Sequence, residues 1–386
     1  MACRADTTEE RLISDDRNET RPCGAGHRSA ASAERLRGRT IAFGGLLVLL
    51  GGCAGEDGSR AGSAVTTDAA SPLQATGEVV EFAMPTPGAG PTTVSITPQG
   101  EVWFTLGSAN AIGVMDSDGG SYREYSIPTP DSAPRIIAIG GDGNLWFSEH
   151  NGNRMGRITP DGVISEFEIE SPASQPRAIA LGADGNIWVG MFAANRIGRV
   201  TPQGQITEFE IPTPDSGPRA LAAGPDGNVW FSEFKASKIG RITPDGEITE
   251  FDLPRPNSGP GDITAGADGN LWFLELSGQM DGLTPDGNRI GRITPDGVIT
   301  EFAMPAGDAT AINIAVGPDR NIWYTRGAML GRVTPQGEFT EFRIAEGSAR
   351  AVGLSAGSDR QPPQRLVDRL WFTDPLNNRI AYLAFE

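Results

Sequence analysis

The chain has 386 residues, 49 of them acidic and 32 basic, and its formal net charge is −17. An acidic surface of this kind argues against nucleic acid as a partner and favours a soluble monomer. The chain has two histidines, and His27 lies in the leader described next. His150 alone remains beyond the leader, which excludes zinc or iron sites that need several histidines.

The first 52 residues have the pattern of a secretory signal region. Thr40–Gly52 is an apolar run that follows three arginines and is too short to span a bilayer as a helix. The run ends in LGGC, which resembles the bacterial lipobox. That resemblance implies that Cys53 is lipidated and becomes the mature N-terminus. A short anchor helix with an incidental cysteine is the alternative.

Residues 53–77 are predicted to form a flexible tether after that cysteine, because Ala, Gly, Ser and Thr dominate them. By the usual sorting pattern of such lipoproteins, Ala54 in place of aspartate directs the protein to the outer membrane, if the cell has one. We therefore expect an extracytoplasmic lipoprotein that contacts the membrane through its lipid alone.

From residue 78 onwards, a unit of about 42 residues recurs seven times, which is the signature of a repeat architecture. Each copy contains four short apolar or alternating runs separated by Asp-Gly, Pro-x-Gly and Pro-Thr-Pro turns, without helical periodicity. Four antiparallel strands repeated radially predict an all-β, seven-bladed β-propeller over residues 78–386. One tryptophan marks each copy: Trp103, Trp146, Trp188, Trp230, Trp272, Trp323 and Trp371.

The two ends of the repeat region complement each other. The last copy stops after its third strand, and the missing fourth strand has its match in Val79–Pro87, VVEFAMPTP, before the first tryptophan. We predict that this N-terminal strand completes the last blade and closes the ring.

Two insertions interrupt the repeat. Blade five has about nine extra residues near Ser277–Pro285, between its second and third strands, and blade seven has about eight near Asp359–Val367, between its first and second. In propellers the second-to-third-strand loops and the loops between blades share the face that usually binds ligands. The blade-five insertion is expected on that face and the other insertion on the opposite face.

Acidic residues end the second strand in several blades, and a basic residue follows each of them. This order predicts repeated acid–base ties between strands. The pairs are Glu149 with Arg154, Glu233 with Lys238, Glu275 with Arg289, and Asp374 with Arg379.

Arginines follow the proline at the start of the innermost strand. The sequence places Arg350 at the equivalent position in blade seven, while blades five and six have Gly261 and Ile312. Because this strand lines the central channel, we expect the arginines to surround its mouth and to hold a carboxylate or phosphate. Ion pairs with acids of neighbouring blades are the alternative. The three proline-linked arginines are Arg135, Arg177 and Arg219.

His150 lies in the second-to-third-strand loop of blade two, on the expected ligand-binding face. An imidazole there is a candidate general acid or base, because its ordinary pKa is close to neutral. A solvent-exposed loop residue without a chemical role is the alternative.

The repeated segments ITPDG, ITEF, IPTP, GADGNLWF and NRIGRIT resemble those of the virginiamycin B lyase family over about Glu78–Glu386. The resemblance implies a seven-bladed propeller and magnesium-dependent C–O lyase activity that opens streptogramin B-type cyclic depsipeptides, an antibiotic-resistance reaction. It further implies catalytic histidines where Ile312 and Arg350 stand, with Glu346 and Asp374 as acids that hold Mg²⁺.

Two hypotheses from different classes follow from these residues. The first is a noncatalytic propeller that binds a small anionic or peptide-like ligand at the arginine-lined mouth. The second is a lyase with a shifted proton donor, for which the candidate catalytic residues are Glu346, Asp374 and His150.

Overall fold

Short antiparallel strands and tight turns make up the ranges that the computed structural model describes, which are 39–42, 75–276, 288–307, 309–344, 351–361 and 365–385. All of them belong to one compact unit, Ala33–Glu386. Within these ranges no helix is long and apolar enough to cross a membrane.

In chain order the strands are β1 (Arg39–Ala42), β2 (Ala75–Ala83), β3 (Pro91–Ile96), β4 (Glu101–Leu106), β5 (Ala111–Asp116), β6 (Tyr122–Ser126), β7 (Pro134–Ile139), β8 (Leu145–Glu149), β9 (Arg154–Ile158), β10 (Ile164–Glu168), β11 (Pro176–Leu181), β12 (Ile187–Met191), β13 (Arg196–Val200), β14 (Ile206–Glu210), β15 (Pro218–Ala223), β16 (Val229–Glu233), β17 (Lys238–Ile242), β18 (Ile248–Asp252), β19 (Pro260–Ala265), β20 (Leu271–Leu276), β21 (Asn288–Ile293), β22 (Ile299–Ala303), β23 (Ala311–Val316), β24 (Ile322–Arg326), β25 (Met329–Val333), β26 (Phe339–Arg343), β27 (Leu354–Gln361), β28 (Arg365–Asp374) and β29 (Arg379–Phe385).

Six blades are sheets of four consecutive antiparallel strands, beginning with β3–β6 and ending with β23–β26. The seventh sheet has the order β1-β2-β29-β28-β27. The innermost strands contact one another in turn around the ring, and the last of them, β27, contacts the first, β3. The predicted all-β, seven-bladed propeller is therefore confirmed.

The N-terminal strand closes the ring, as predicted. β2 pairs with β29 through Val79 opposite Leu383 and Phe82 opposite Ile380, so it is the fourth strand of blade seven. β1, which comes from the predicted signal region, pairs with β2 as a fifth, outer strand of this sheet. Cys53 and most of the predicted tether lie outside the described residues.

The two predicted insertions differ in what the structure describes. In blade seven, β27 and β28 continue their pairing through Asp359 opposite Val367, so the insertion lengthens the first hairpin of the blade. The blade-five insertion, Ser277–Pro285, lies outside the described residues.

Each blade buries its tryptophan against the next blade. Trp146 is 1% exposed and stacks on Phe167 of its own blade with ring centroids 5.4 Å apart. The Arg157 guanidinium lies over both rings and donates to the Pro202 carbonyl of blade three at 2.8 Å. The indole Nε1–H donates to Asp142 at 3.2 Å, so the aspartate of the Asp-Gly turn also satisfies a buried donor.

The predicted acid–base ties are wrong for three of the four acids. Glu149, Glu233 and Glu275 are at most 1% exposed, and their carboxylate oxygens have no hydrogen-bond partner. In blades two and four the basic residue pairs instead with an acid of the outermost strand, Arg154 with Glu168 and Lys238 with Asp252. The Lys238 ammonium lies 2.7 Å from the Asp252 carboxylate.

Burial sets the protonation of these three glutamates. It raises the pKa of Glu149 and Glu233 to about 8 and that of Glu275 to about 7, from an ordinary value of 4.5. A second glutamate on the outermost strand of each blade adds to the effect, as Glu250 does for Glu233. These carboxyl groups therefore bind protons more tightly in the folded than in the unfolded chain.

We predict that the free energy of unfolding falls as the pH rises from about 5 to about 8, because the folded state then binds more protons than the unfolded state. Glu233→Gln should reduce that fall by at least about 1 kcal/mol, since one pKa unit corresponds to roughly 1.4 kcal/mol. Urea unfolding at several pH values measures the free energy of unfolding of each protein. The exposed Glu247→Gln is the matched control. Equal pH dependence in both variants and the parent would contradict the prediction.

Candidate functional site

A β-bulge at the start of each innermost strand positions the residues around the channel mouth. Pro134 lies opposite Glu149, and regular pairing resumes only at Ile137 opposite Phe147. Arg135 and Ile136 therefore occupy the bulge. A bulge bends the strand and changes the direction of its side chains, which is how propeller strands can present residues at their ends.

Hydroxyl groups on the second strands tie the bulges of neighbouring blades together. Ser148 Oγ accepts the Ile136 amide at 3.3 Å and donates to the Arg177 carbonyl of blade three at 3.1 Å. Thr105 of blade one donates likewise to the Arg135 carbonyl at 2.9 Å. In blades one, two, three and seven, the backbone of the mouth residue is thus held by a hydroxyl group of the preceding blade.

The same bonds identify the mouth residue of blade seven. The Thr325 hydroxyl donates to the Val352 carbonyl at 3.3 Å, and the Gly353 amide donates to the Thr373 hydroxyl at 2.8 Å. Val352 is therefore the equivalent of the mouth arginines, and the placement of Arg350 there was wrong by two residues. Blade seven lacks the proline that marks this position in most other blades.

Two predicted site residues cannot be placed. Arg350 and Glu346 lie outside the described residues, in the segment that leads into blade seven. The other mouth positions are as predicted, with Gly261 in the bulge of blade five and Ile312 in that of blade six.

The structure brings Arg135, Arg177 and Arg219 together on three consecutive blades. All three are half-buried, and none forms an ion pair with another described residue. Burial, together with the charges of Arg219 and Arg135, lowers the pKa of Arg177 to about 9. Burial also lowers the pKa of Arg135 and of Arg219. The predicted alternative of ties to neighbouring acids is met in part, because the Asp262 carboxylate of blade five is close enough to act on Arg219, although the two form no ion pair among the described residues. We call these three residues the arginine arc.

Aromatic rings support two members of the arc. The Arg177 guanidinium lies 5.4 Å from the ring centroid of Phe192, and that of Arg219 lies 4.8 Å from Phe234. Such cation–π stacking holds the guanidinium plane and leaves its edge donors available. The sequence analysis missed both phenylalanines, although each directly follows the second strand of its blade, as His150 does in blade two.

His150 lies beside the arc and is half-buried. Its Nδ1 is 3.3 Å from the carbonyl oxygen of Pro176, a contact that favours the tautomer with the proton on Nδ1 and a lone pair on Nε2. Burial lowers the pKa of His150, and the charges of Arg135 and Arg177 lower it further. The imidazole is consequently neutral at pH 7.

Below the mouth, the channel encloses a cavity of about 370 Å³ lined by the innermost strands. Asp262 of blade five is among its lining residues, and its carboxylate accepts the Asn313 side-chain amide and the Ile314 backbone amide, each at 2.9 Å. Burial raises the pKa of Asp262, while the neighbouring Arg219 opposes this effect. The arc therefore ends at an acidic residue on its blade-five side.

Of the two acids in the magnesium site that the family resemblance implies, Asp374 is described and Glu346 lies outside the described residues. Asp374 is 5% exposed, and its carboxylate accepts the Asn377 backbone and side-chain amides at 3.3 and 2.7 Å. In the part of the chain that is described, no three His, Cys, Asp or Glu side chains are placed to hold a metal ion.

Comparisons with known proteins agree with the architecture. The sequence model of the virginiamycin B lyase family matches residues 50–288 and 220–386. A virginiamycin B lyase structure from Staphylococcus aureus is 36% identical, with a TM-score of 0.71, and the match covers 79% of this chain and 98% of that one. A search of curated proteins returned no significant match.

Two further structures are similar. One is a catalytically inactive histidine-to-alanine variant of the Staphylococcus aureus lyase with quinupristin, which is 35% identical, has a TM-score of 0.71 and covers 79% of this chain and 98% of its own. The other is a streptogramin B lyase, which is 32% identical and has a TM-score of 0.70. The match covers 80% of this chain and 97% of that one.

We predict that Arg135→Ala raises the pKa of His150, because Arg135 is the nearby positive charge that lowers this pKa more than Arg177 does. An NMR titration of the imidazole measures this, with the signal assigned by its loss in His150→Asn. The exposed Arg343→Ala on the outermost strand of blade six should leave the pKa unchanged. A His150 pKa that is the same in both arginine variants would show that the arc does not act on the imidazole.

Proposed function

The chain belongs to the virginiamycin B lyase family, and we propose that it uses the family's propeller to bind a small anionic ligand at the arginine arc. The observation that carries the proposal is the absence of any ion pair from the arc to the described residues. Three half-buried guanidinium groups beside the single carboxylate of Asp262 leave an excess of positive charge, which is costly. A bound carboxylate or phosphate offsets this cost through charge-assisted, often bidentate hydrogen bonds.

The geometry supports binding more than elimination. Replacement of a histidine inactivates the Staphylococcus aureus lyase. At the two positions where the resemblance implies histidines, this chain has Ile312 and Val352, which cannot transfer protons. The arc also lies on blades two to four, away from the last two blades.

A second candidate function rests on His150. Its neutral imidazole carries a lone pair on Nε2 next to two arginines, an arrangement that suits proton abstraction beside an anionic or carbonyl group. Elimination at a streptogramin B ester by this base would break the C–O bond and leave the product mass unchanged, whereas hydrolysis would add one water.

Anion binding is tested by thermal unfolding in a panel of phosphate, sulfate and citrate at constant ionic strength. We expect the anions to raise the melting temperature of the parent protein and to have little effect on Arg177→Ala/Arg219→Ala, because two of three donors are gone. Arg343→Ala, an exposed arginine outside the arc, should respond like the parent. Equal responses in all three proteins would reject binding at the arc.

The lyase candidate is tested by incubation with a streptogramin B and Mg²⁺, followed by chromatography and mass analysis. Conversion to a product of unchanged mass that is lost in His150→Asn would favour the enzyme. No conversion, together with arc-dependent anion binding, would favour the binding protein.

The location of the protein is part of the same proposal. Lipidation at Cys53 would place the propeller outside the cytoplasm on a flexible tether, where a ligand-binding face is accessible to external solutes. Incorporation of labelled fatty acid in the native host should be abolished by Cys53→Ser. Labelling that persists in this variant would contradict lipidation at Cys53.

A further inference from the structure

We propose that the ligand is a multivalent anion, with at least two negatively charged groups, that lies along blades two to four on one half of the channel mouth. This inference rests on the proposed function of the arc as an anion site. It concerns the ligand's charge and position, which anion binding alone leaves open.

The number of positive charges sets the minimum charge of the ligand. Arg177 is close enough to Arg219 and Arg135 for both charges to act on it, and Arg219 also experiences Arg135. A singly charged anion would neutralise one of three mutually repelling groups. A ligand with two or three charges relieves more of that repulsion, so binding should strengthen with the charge of the ligand.

The positive charge is confined to one half of the mouth. On the other blades, the residue at the equivalent mouth position is uncharged, so among the described residues these four positions offer an anion no side-chain counter-charge. These residues are Thr92, Gly261, Ile312 and Val352.

Asp262 limits the site at its blade-five end. Its carboxylate is held in the channel by Asn313 and Ile314 and lies close enough to Arg219 to affect it electrostatically. A negatively charged group placed beyond Arg219 or deeper in the channel would approach this carboxylate. The ligand's charges should therefore follow the rim from blade two to blade four.

The rings beside the arc favour an ordered contact over a diffuse one. Phe192 and Phe234 stack against Arg177 and Arg219, which reduces the conformational freedom that each guanidinium loses on binding. His150 occupies the equivalent place in blade two, and its Nε2 can accept one further hydrogen bond from a protonated oxygen of the ligand. Oligophosphates and oligocarboxylates share the required chemistry.

Calorimetric titrations of the purified full-length protein with defined probes test the inference. The phosphate series is inorganic phosphate, pyrophosphate and tripolyphosphate, and the carboxylate series is acetate, succinate and citrate, all at one ionic strength. We expect affinity to rise by about tenfold or more from the first to the last member of at least one series, because each added charge can form further charge-assisted hydrogen bonds with the arc. The series with the steeper rise identifies the ligand's chemical source.

Arginine variants locate the effect. Each of the three variants Arg135→Ala, Arg177→Ala and Arg219→Ala should weaken binding of the last member of the steeper series by about tenfold or more. Each should also flatten the dependence of affinity on ligand charge. Arg177→Lys should fall between Arg177→Ala and the parent, because it keeps the charge but loses the planar fork. The exposed Arg343→Ala should match the parent. Unchanged urea unfolding of each variant shows that it is folded.

The outcomes separate this inference from the proposed function. If monovalent and multivalent members bind equally well and depend equally on the arc, the protein is an anion binder and the inference of a multivalent ligand is wrong. If no probe binds, or if binding is unaffected by all three arc variants, both the inference and the proposed function are wrong.

Discussion

The whole ring depends on one buried tryptophan per blade, which faces the next blade. The tryptophan of each blade joins a core with residues of its successor, and Trp371 of blade seven packs in one cluster with Val102 and Phe104 of blade one. A large aromatic side chain removed from water at every interface supplies much of the free energy that holds neighbouring blades together. The stacked arginine and the turn aspartate satisfy the polar groups that this burial would otherwise leave unpaired.

Because the interfaces between blades repeat the same residues, the side chains at the channel mouth can vary without loss of the fold. In blades one, two, three and seven, a hydroxyl group of the preceding blade bonds to the backbone carbonyl of the mouth residue, an attachment that does not involve the side chain. Threonine, arginine, glycine, isoleucine and valine are all found at this position. Three arginines on consecutive blades are thus a departure that stability does not require, which supports a role in binding.

The sequence predicted the fold because the period, the turns and the spare N-terminal strand are local features. It failed where three-dimensional register decides. Arg350 was matched to the mouth by residue type, whereas the hydroxyl bonds of blades six and seven place Val352 there. Similarly, Glu233 and Lys238 are opposite each other in register, yet the lysine turns to the outer Asp252 and leaves the glutamate buried.

The phenylalanines of the site were hidden for a related reason. Phe192 and Phe234 occupy the loop position where blade two has His150, and they are distant in sequence from the arginines that they contact. The pairing of the first two strands brings each of them next to the arginine of its own blade. The signal in the sequence is positional, because His150, Phe192 and Phe234 each directly follow the second strand of their blade.

Arginine-selective NMR during titration with tripolyphosphate tests the central claim most directly. If the arc binds the anion, the Nε–H resonances of Arg135, Arg177 and Arg219 shift together with one dissociation constant. Arg157 and Arg199, which are stacked on core aromatic rings and bonded to the next blade, keep their positions. Unchanged resonances of the arc arginines at saturating tripolyphosphate, or equal shifts in all arginines, would contradict anion binding at the arc.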